Sequence, residues 1–242
     1  MSTHVDQLLD ELVKRLHDSL DDDLVSVVLY GSAASGDYQP EFSDLNVLCV
    51  LRVVGVAELR RVGKAVEWWN AQKQTTPLIL SLEEAQNAAD AFPIEFEDIS
   101  HSRRLLHGKD MFAAIAINPQ HHRRQVEHEL RTMLLRMRSR YLTTLGNEDE
   151  VVRMMARSAS SFATLTRHAL ILYGETVGTQ KREILKAATA RFGLNPLPYE
   201  TLLAVREGTQ QIVGESVHSL FSAYLEQITR LAQAVDKLGK MS

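Results

Sequence analysis

The sequence predicts an α+β (α/β) domain with a mixed sheet over residues 1–117, followed by an all-α helical bundle over residues 118–242. Three observations carry this reading. Apolar runs rich in β-branched residues alternate with helical patterns over the first part of the chain, the signature of a layered sheet-and-helix unit. From about Pro119 onward the periodicity is helical throughout. The breaks between those helical stretches are short and marked by glycine, as in a bundle of neighbouring helices.

Taken in order, apolar residues at positions 5, 8, 9, 12, 13 and 16 form one face of a helix over residues 5–20, which the acidic run Asp21-Asp22-Asp23 ends. Residues 24–30 form a continuous β-prone run that stops at Gly31, and residues 45–51 form a second. Residues 56–72 read as a helix and residues 76–80 as a short strand. Ser81 and Glu84 have capping-box spacing, so a short helix should follow. Residues 93–99 alternate apolar and acidic side chains, which predicts a strand with two unlike faces. In the second part, helices are expected at about 120–145, 149–173, 179–192, 198–207 and 213–238.

Composition narrows the function. Hydrophobic residues make up 45% and charged residues 24% of the chain, ordinary values for a globular protein. The formal net charge is -4, which argues against a long nucleic acid as partner. The single cysteine, Cys49, excludes an intramolecular disulfide and a multi-cysteine zinc site, and its apolar neighbours predict a buried thiol. No apolar run approaches the roughly 20 residues that span a bilayer, and the first residues carry no secretory pattern, so a cytoplasmic protein without a membrane partner is expected.

The chemistry concentrates in Gly31-Ser32 and Ser43-Asp44-Leu45-Asn46-Val47. A strand ending at glycine opens a turn whose backbone N–H groups suit an anion such as phosphate, and the Ser32 hydroxyl adds a donor. Eleven residues, 33–43, separate Ser32 from Asp44. Alternation along the second strand puts Asp44 and Asn46 on one face and Leu45, Val47, Cys49 and Leu51 on the other.

Strand, Gly-Ser, a loop of this length and an acid opening the next strand resemble the nucleotidyltransferase superfamily of the DNA polymerase beta type, over the first ~110 residues. The resemblance implies an Asp-x-Asp pair and a third carboxylate on a later strand. These would hold magnesium ions that bind a nucleoside triphosphate and activate an acceptor hydroxyl. Gly31, Ser32 and Asp44 match the motif directly. Glu95 is the best match for the third acid, with Glu97 as its substitute. Asn46 stands where the second aspartate belongs. It offers a carbonyl oxygen but no charge, and magnesium prefers carboxylate and phosphate oxygens.

The site expected on this basis comprises Asp44, Asn46 and Glu95 as catalytic and metal-ligating residues, and Gly31, Ser32 and Arg131 as phosphate-binding residues. Arg124, Arg131 and Arg138 recur every seven residues on one helix, as a solvated shoulder or as a clamp for triphosphate oxygens. His121-His122 reads as a solvated helix start, and Trp68-Trp69 as core plus edge. Three functions stay open: transfer of a nucleoside monophosphate to a small molecule, a protein side chain or an RNA end; a catalytically inactive nucleotide-binding or regulatory module; and a homo-oligomerising interaction protein that binds no nucleotide.

Overall fold

The computed structural model describes residues 3–35, 45–113 and 115–240. The chain divides into two compact units, Met1–Asn118 and Pro119–Ser242.

The first unit runs α1 (Thr3–Leu20), β1 (Leu24–Tyr30), α2 (Ser32–Ser35), β2 (Asn46–Leu51), α3 (Val56–Ala71), β3 (Leu78–Ser81), α4 (Leu82–Asn87), α5 (Pro93–His101) and β4 (Arg103–Gly108). The strands form one mixed sheet in the order β3-β2-β1-β4. β1 is antiparallel to both β2 and β4, and β2 is parallel to β3. Strand alternation distributes the core over both faces. Val27, Leu29, Leu45, Val47, Cys49 and Leu51 pack with the apolar faces of α1 and α3. Val28, Leu48 and Val50 pack with Leu80, Ala85, Phe96, Ile99 and Phe112 on the opposite side. Because both faces of β1 and β2 are buried, these strands read as continuous apolar runs.

Polar contacts fix the helices on this core. Arg61 of α3 donates to the carbonyls of Ser19 and Leu20, at 2.8 and 2.9 Å, and pairs with Asp23 at 2.6 Å. It thereby satisfies carbonyls that the end of α1 leaves without helical partners. The capping box of α4 forms as expected, with Ser81 and Glu84 exchanging bonds of 2.7 and 3.1 Å. Trp69 is fully buried and its indole N–H donates to the Thr75 carbonyl at 2.8 Å. Trp68 lies beside it under the Arg15 guanidinium, 4.6 Å from the ring centre, so the pair is core plus edge.

One element differs from the sequence reading. Residues 93–99 belong to helix α5, not to a strand. Pro93 occupies the start of the helix, where its missing N–H costs nothing, and Ile94, Phe96 and Ile99 are all buried. The apolar-acidic alternation is too short to separate a strand from a helix that packs on two sides. The strand that lies beside β1 is β4, whose opening Arg103-Arg104 hides it from a search for apolar runs. Arg103 is held by Asp110 through a 2.9 Å ion pair, and Arg104 reaches Asp6 of α1 at 2.7 Å.

The second unit contains α6 (Pro119–Thr144), α7 (Glu148–Leu172), α8 (Lys181–Phe192), α9 (Leu197–Arg206) and α10 (Glu215–Leu238), and no strand among the described residues. Asn147 caps α7 by accepting the Glu150 N–H at 3.1 Å. Val126, Leu130, Leu134 and Met137 of α6 are buried, as are Val217, Phe221, Tyr224, Ile228, Leu231 and Val235 of α10. His122 departs from the solvated reading. It is 3% exposed, and its Nε2 lies 2.9 Å from Nδ1 of the buried His168 on α7. A ring-to-ring hydrogen bond let the bundle bury two imidazoles that sequence spacing keeps 46 residues apart.

Two predictions follow from this packing. Gly108 has φ +77°, and an added Cβ would lie 2.0 Å from the Val25 carbonyl oxygen, whereas Gly146, at φ +92°, has open space. Gly108→Ala should therefore cost on the order of 3 kcal/mol or more and Gly146→Ala about 1 kcal/mol, read as shifts in urea midpoint. His122 is pushed down to about 3, first by burial and then by His168. The folded state thus binds this proton more weakly than the unfolded chain, whose histidine titrates near 6.5. Its contribution to stability should be full above about pH 6.5 and lost as pH falls toward 3, with a slope of at most about 1.4 kcal/mol per pH unit. Chemical denaturation of His122→Gln between these limits should show that slope removed.

Candidate active site

Of the residues singled out in the first unit, Gly31 and Asn46 meet where β1 ends and β2 begins. Tyr30, the last residue of β1, is the cross-strand partner of Asn46, the first residue of β2. Both project to the face that α5 covers, since they continue the even-numbered alternation of Val28 and Leu48. Gly31 follows with φ +75°, and a Cβ built there would come 3.1 Å from the Asn46 side-chain nitrogen. Glycine at this position therefore combines the left-handed turn with room for the Asn46 amide. Its own N–H donates to the Ser102 carbonyl at 3.2 Å, which ties the turn to the end of α5. Ser32 opens α2, but its side chain lies outside the described residues, as does Asp44.

Glu95 reaches this neighbourhood from α5 rather than from a strand. Its charge helps raise the Tyr30 phenol above its ordinary pKa, as the second cause after burial. Glu97 points elsewhere: its carboxylate lies 3.2 Å from His101, one turn along the same helix. Neither β3, with Leu78-Ile79-Leu80-Ser81, nor β4, with Arg103 through Gly108, carries an acid. The resemblance implied an acid on a later strand, so this expectation is corrected. Tyr30 was missed from sequence, although its place next to Gly31 and opposite Asn46 is readable once the strand register is known.

These donors do not fit a pair of divalent cations. Among the described residues no three His, Cys, Asp or Glu side chains gather as a metal site. What stands at the opening of β2 is a neutral amide. Even with Asp44 beside Glu95, the set offers two negative charges where the motif supplies three. Cys49, three pairs further along β2, is no substitute, because burial pushes its thiol up to about 12.

The whole chain is similar in structure to spectinomycin adenyltransferase from Enterococcus faecialis, determined with ATP and spectinomycin. The TM-score is 0.60 over 95% of this chain and 98% of that chain, at 14% sequence identity. The fold is nucleotidyltransferase-like. No protein-family model matches the chain. No curated protein is similar to it in sequence. At this identity the likeness carries the fold alone, so the chemistry has to be argued from the residues.

The helical unit also carries cations. Arg131 is held by Glu127 at 2.8 Å and lies 4.0 Å from Asp236, so a phosphate would compete with carboxylates for it. Lys181 stands apart. It is the first residue of α8, where the helix dipole favours anions over cations. Burial and the neighbouring Arg206 lower its pKa, against the smaller pull of Glu207. It borders a shallow, mostly apolar depression lined also by Phe162, Thr166 and Tyr199, and the buried Tyr199 hydroxyl has no hydrogen-bond partner. A lysine opening a helix was the sequence signal that could have marked it.

Glu95→Gln should lower the Tyr30 pKa, because a like-charge repulsion against the phenolate is removed. Tyr30 should nevertheless remain above an ordinary tyrosine, since burial is the larger cause. Ultraviolet difference titration against Tyr30→Phe reads this shift; an unchanged Tyr30 would place Glu95 away from the site.

Proposed function

We propose that this protein binds a nucleoside triphosphate through the Gly31-Ser32 turn, and that Asn46 leaves it unable to carry out efficient transfer of the nucleoside monophosphate. The observation that carries this reading is the Asn46 amide against Gly31, at 3.1 Å from the position of an added Cβ. A neutral donor there hydrogen-bonds phosphate oxygens without any metal between them, whereas an aspartate would repel them unless a cation intervened. Asp44, two residues before Asn46 in the sequence, carries one negative charge and Glu95 a second. Transfer by the two-metal route needs a denser carboxylate set, because the cations must stabilise both the attacking and the leaving oxygens. Lys181 supports an anionic ligand in its own right, since a partly buried cation beside Arg206 at a helix start is relieved by negative charge.

A second reading is favoured by the approach of Glu95 to Tyr30. It holds that Asp44 and Glu95 together retain one magnesium ion and a slow transfer to an acceptor hydroxyl, on a small molecule, a protein side chain or an RNA end. The similar adenyltransferase was determined with ATP and spectinomycin.

Calorimetric titration with ATP, GTP, CTP and UTP, each with magnesium and with chelator, tests both. Binding is expected with little dependence on magnesium and without release of pyrophosphate. Asn46→Asp should make binding magnesium-dependent, since an added negative charge must be neutralised. Pyrophosphate release by the unaltered protein would replace the first reading by the second. Failure of every triphosphate to bind would overturn both.

A further inference from the structure

The arginines of the chain concentrate in α6. From Leu130 to Gly146 there are four arginines and no acidic residue, within a chain of net charge -4. Several exposed arginines elsewhere are matched by carboxylates, as in Arg15–Glu11, Arg61–Asp23, Arg153–Glu150 and Arg230–Glu226, whereas ones unpaired among the described residues, such as Arg60 and Arg157, stand singly. Arg124 and Arg138 form no ion pair among the described residues, and Arg131, though held by Glu127, is still 54% exposed. Leu135 and Leu142, at 66% and 69% exposure, lie on the same side of the helix, and Leu145 directly after it is 59% exposed.

The spacing makes this one seam. Arg124, Arg131 and Arg138 recur every seven residues, and Leu135 and Leu142 recur every seven residues four positions after an arginine. Steps of three and four keep all of them in a single line along α6, on the side away from its buried residues Val126, Leu130, Leu134 and Met137. A seven-residue repeat of alternating apolar and charged positions is the surface that one helix offers to another.

We infer that this seam docks an acidic amphipathic helix of another protein, whose apolar residues seat on Leu135, Leu142 and Leu145 and whose carboxylates meet Arg124, Arg131 and Arg138. Charge complementarity sets the choice of occupant. A second copy laid along the same seam would bring arginines against arginines, a like-charge contact that opposes association. A lipid surface calls for a broad apolar face, and that face of α6 is spent in the bundle core. Nucleic acid would satisfy the arginines but leave three leucines against phosphate.

The test uses the full chain and a synthetic helical peptide of about four heptads, with leucine and glutamate at its seam positions. Anisotropy should show saturable binding that weakens as salt rises. Arg138→Glu and Leu142→Asp should each weaken it about tenfold or more, while Arg60→Glu, on α3 of the first unit, leaves it unchanged. Arg138→Glu should also gain affinity for the peptide with lysine in place of glutamate, an exchange that a misfolded variant could not produce. The inference is overturned if the glutamate peptide does not bind, or if a scrambled or lysine peptide binds the unaltered protein equally well. It is overturned too if phosphatidylcholine–phosphatidylserine vesicles or self-association, and not the peptide, respond to Leu142→Asp.

Discussion

The antiparallel register of β1 against β2 governs the first unit. Tyr30 opposite Asn46 and Val28 opposite Leu48 place the even-numbered residues of both strands on one face, and Leu29 opposite Val47 places the odd-numbered ones on the other. A slip by one residue would turn every side chain over and expose two apolar rows to water. The same register brings the last residue of β1, the left-handed Gly31 and the first residue of β2 together. The core and the candidate site are therefore specified by one pairing. The α1 and α3 layer on one side and the α4 and α5 layer on the other each complete a face that this pairing defines.

The site that results is polar without being strongly acidic. Its described members are a phenol, an amide, a glycine turn and a glutamate arriving from a helix. Phosphate recognition and metal chelation place opposite demands on such a spot. Backbone donors and amides stabilise an anion directly, while carboxylates do so only through a bound cation. On the proposed reading, the neutral Asn46 amide moves the balance toward direct recognition. The fold alone does not decide between these chemistries, since a nucleotidyltransferase-like framework accommodates either set of side chains.

The helical unit shows a comparable separation of tasks on one element. On one side α6 contributes aliphatic residues and His122 to the interior, and the His122–His168 contact needs at least one neutral ring to persist. On the other it carries unmatched guanidinium groups interleaved with exposed leucines. Seven-residue spacing keeps these two sides apart over the full length of the helix, because it nearly matches two helical turns.

Much of this was legible in the sequence. The runs of β1 and β2 fixed those strands because both of their faces are apolar, and Ser81 with Glu84 fixed the start of α4 because capping is a local interaction. The long helices were readable from their 3.6-residue stripes, and the neighbouring Gly31 and Asn46 were singled out by their spacing. Local pattern failed where a partner distant in sequence decided the outcome. Residues 93–99 became a helix because β4 lies beside β1 and leaves that segment to cover a sheet face. β4 itself was obscured by two arginines whose carboxylate partners, Asp110 and Asp6, only tertiary structure reveals. His122 entered the core because His168 offered it a hydrogen bond across two helices. Tyr30 joined the site through strand register. Sequence determined the elements whose stability comes from their own residues, and tertiary structure decided every placement that depends on a partner elsewhere in the chain.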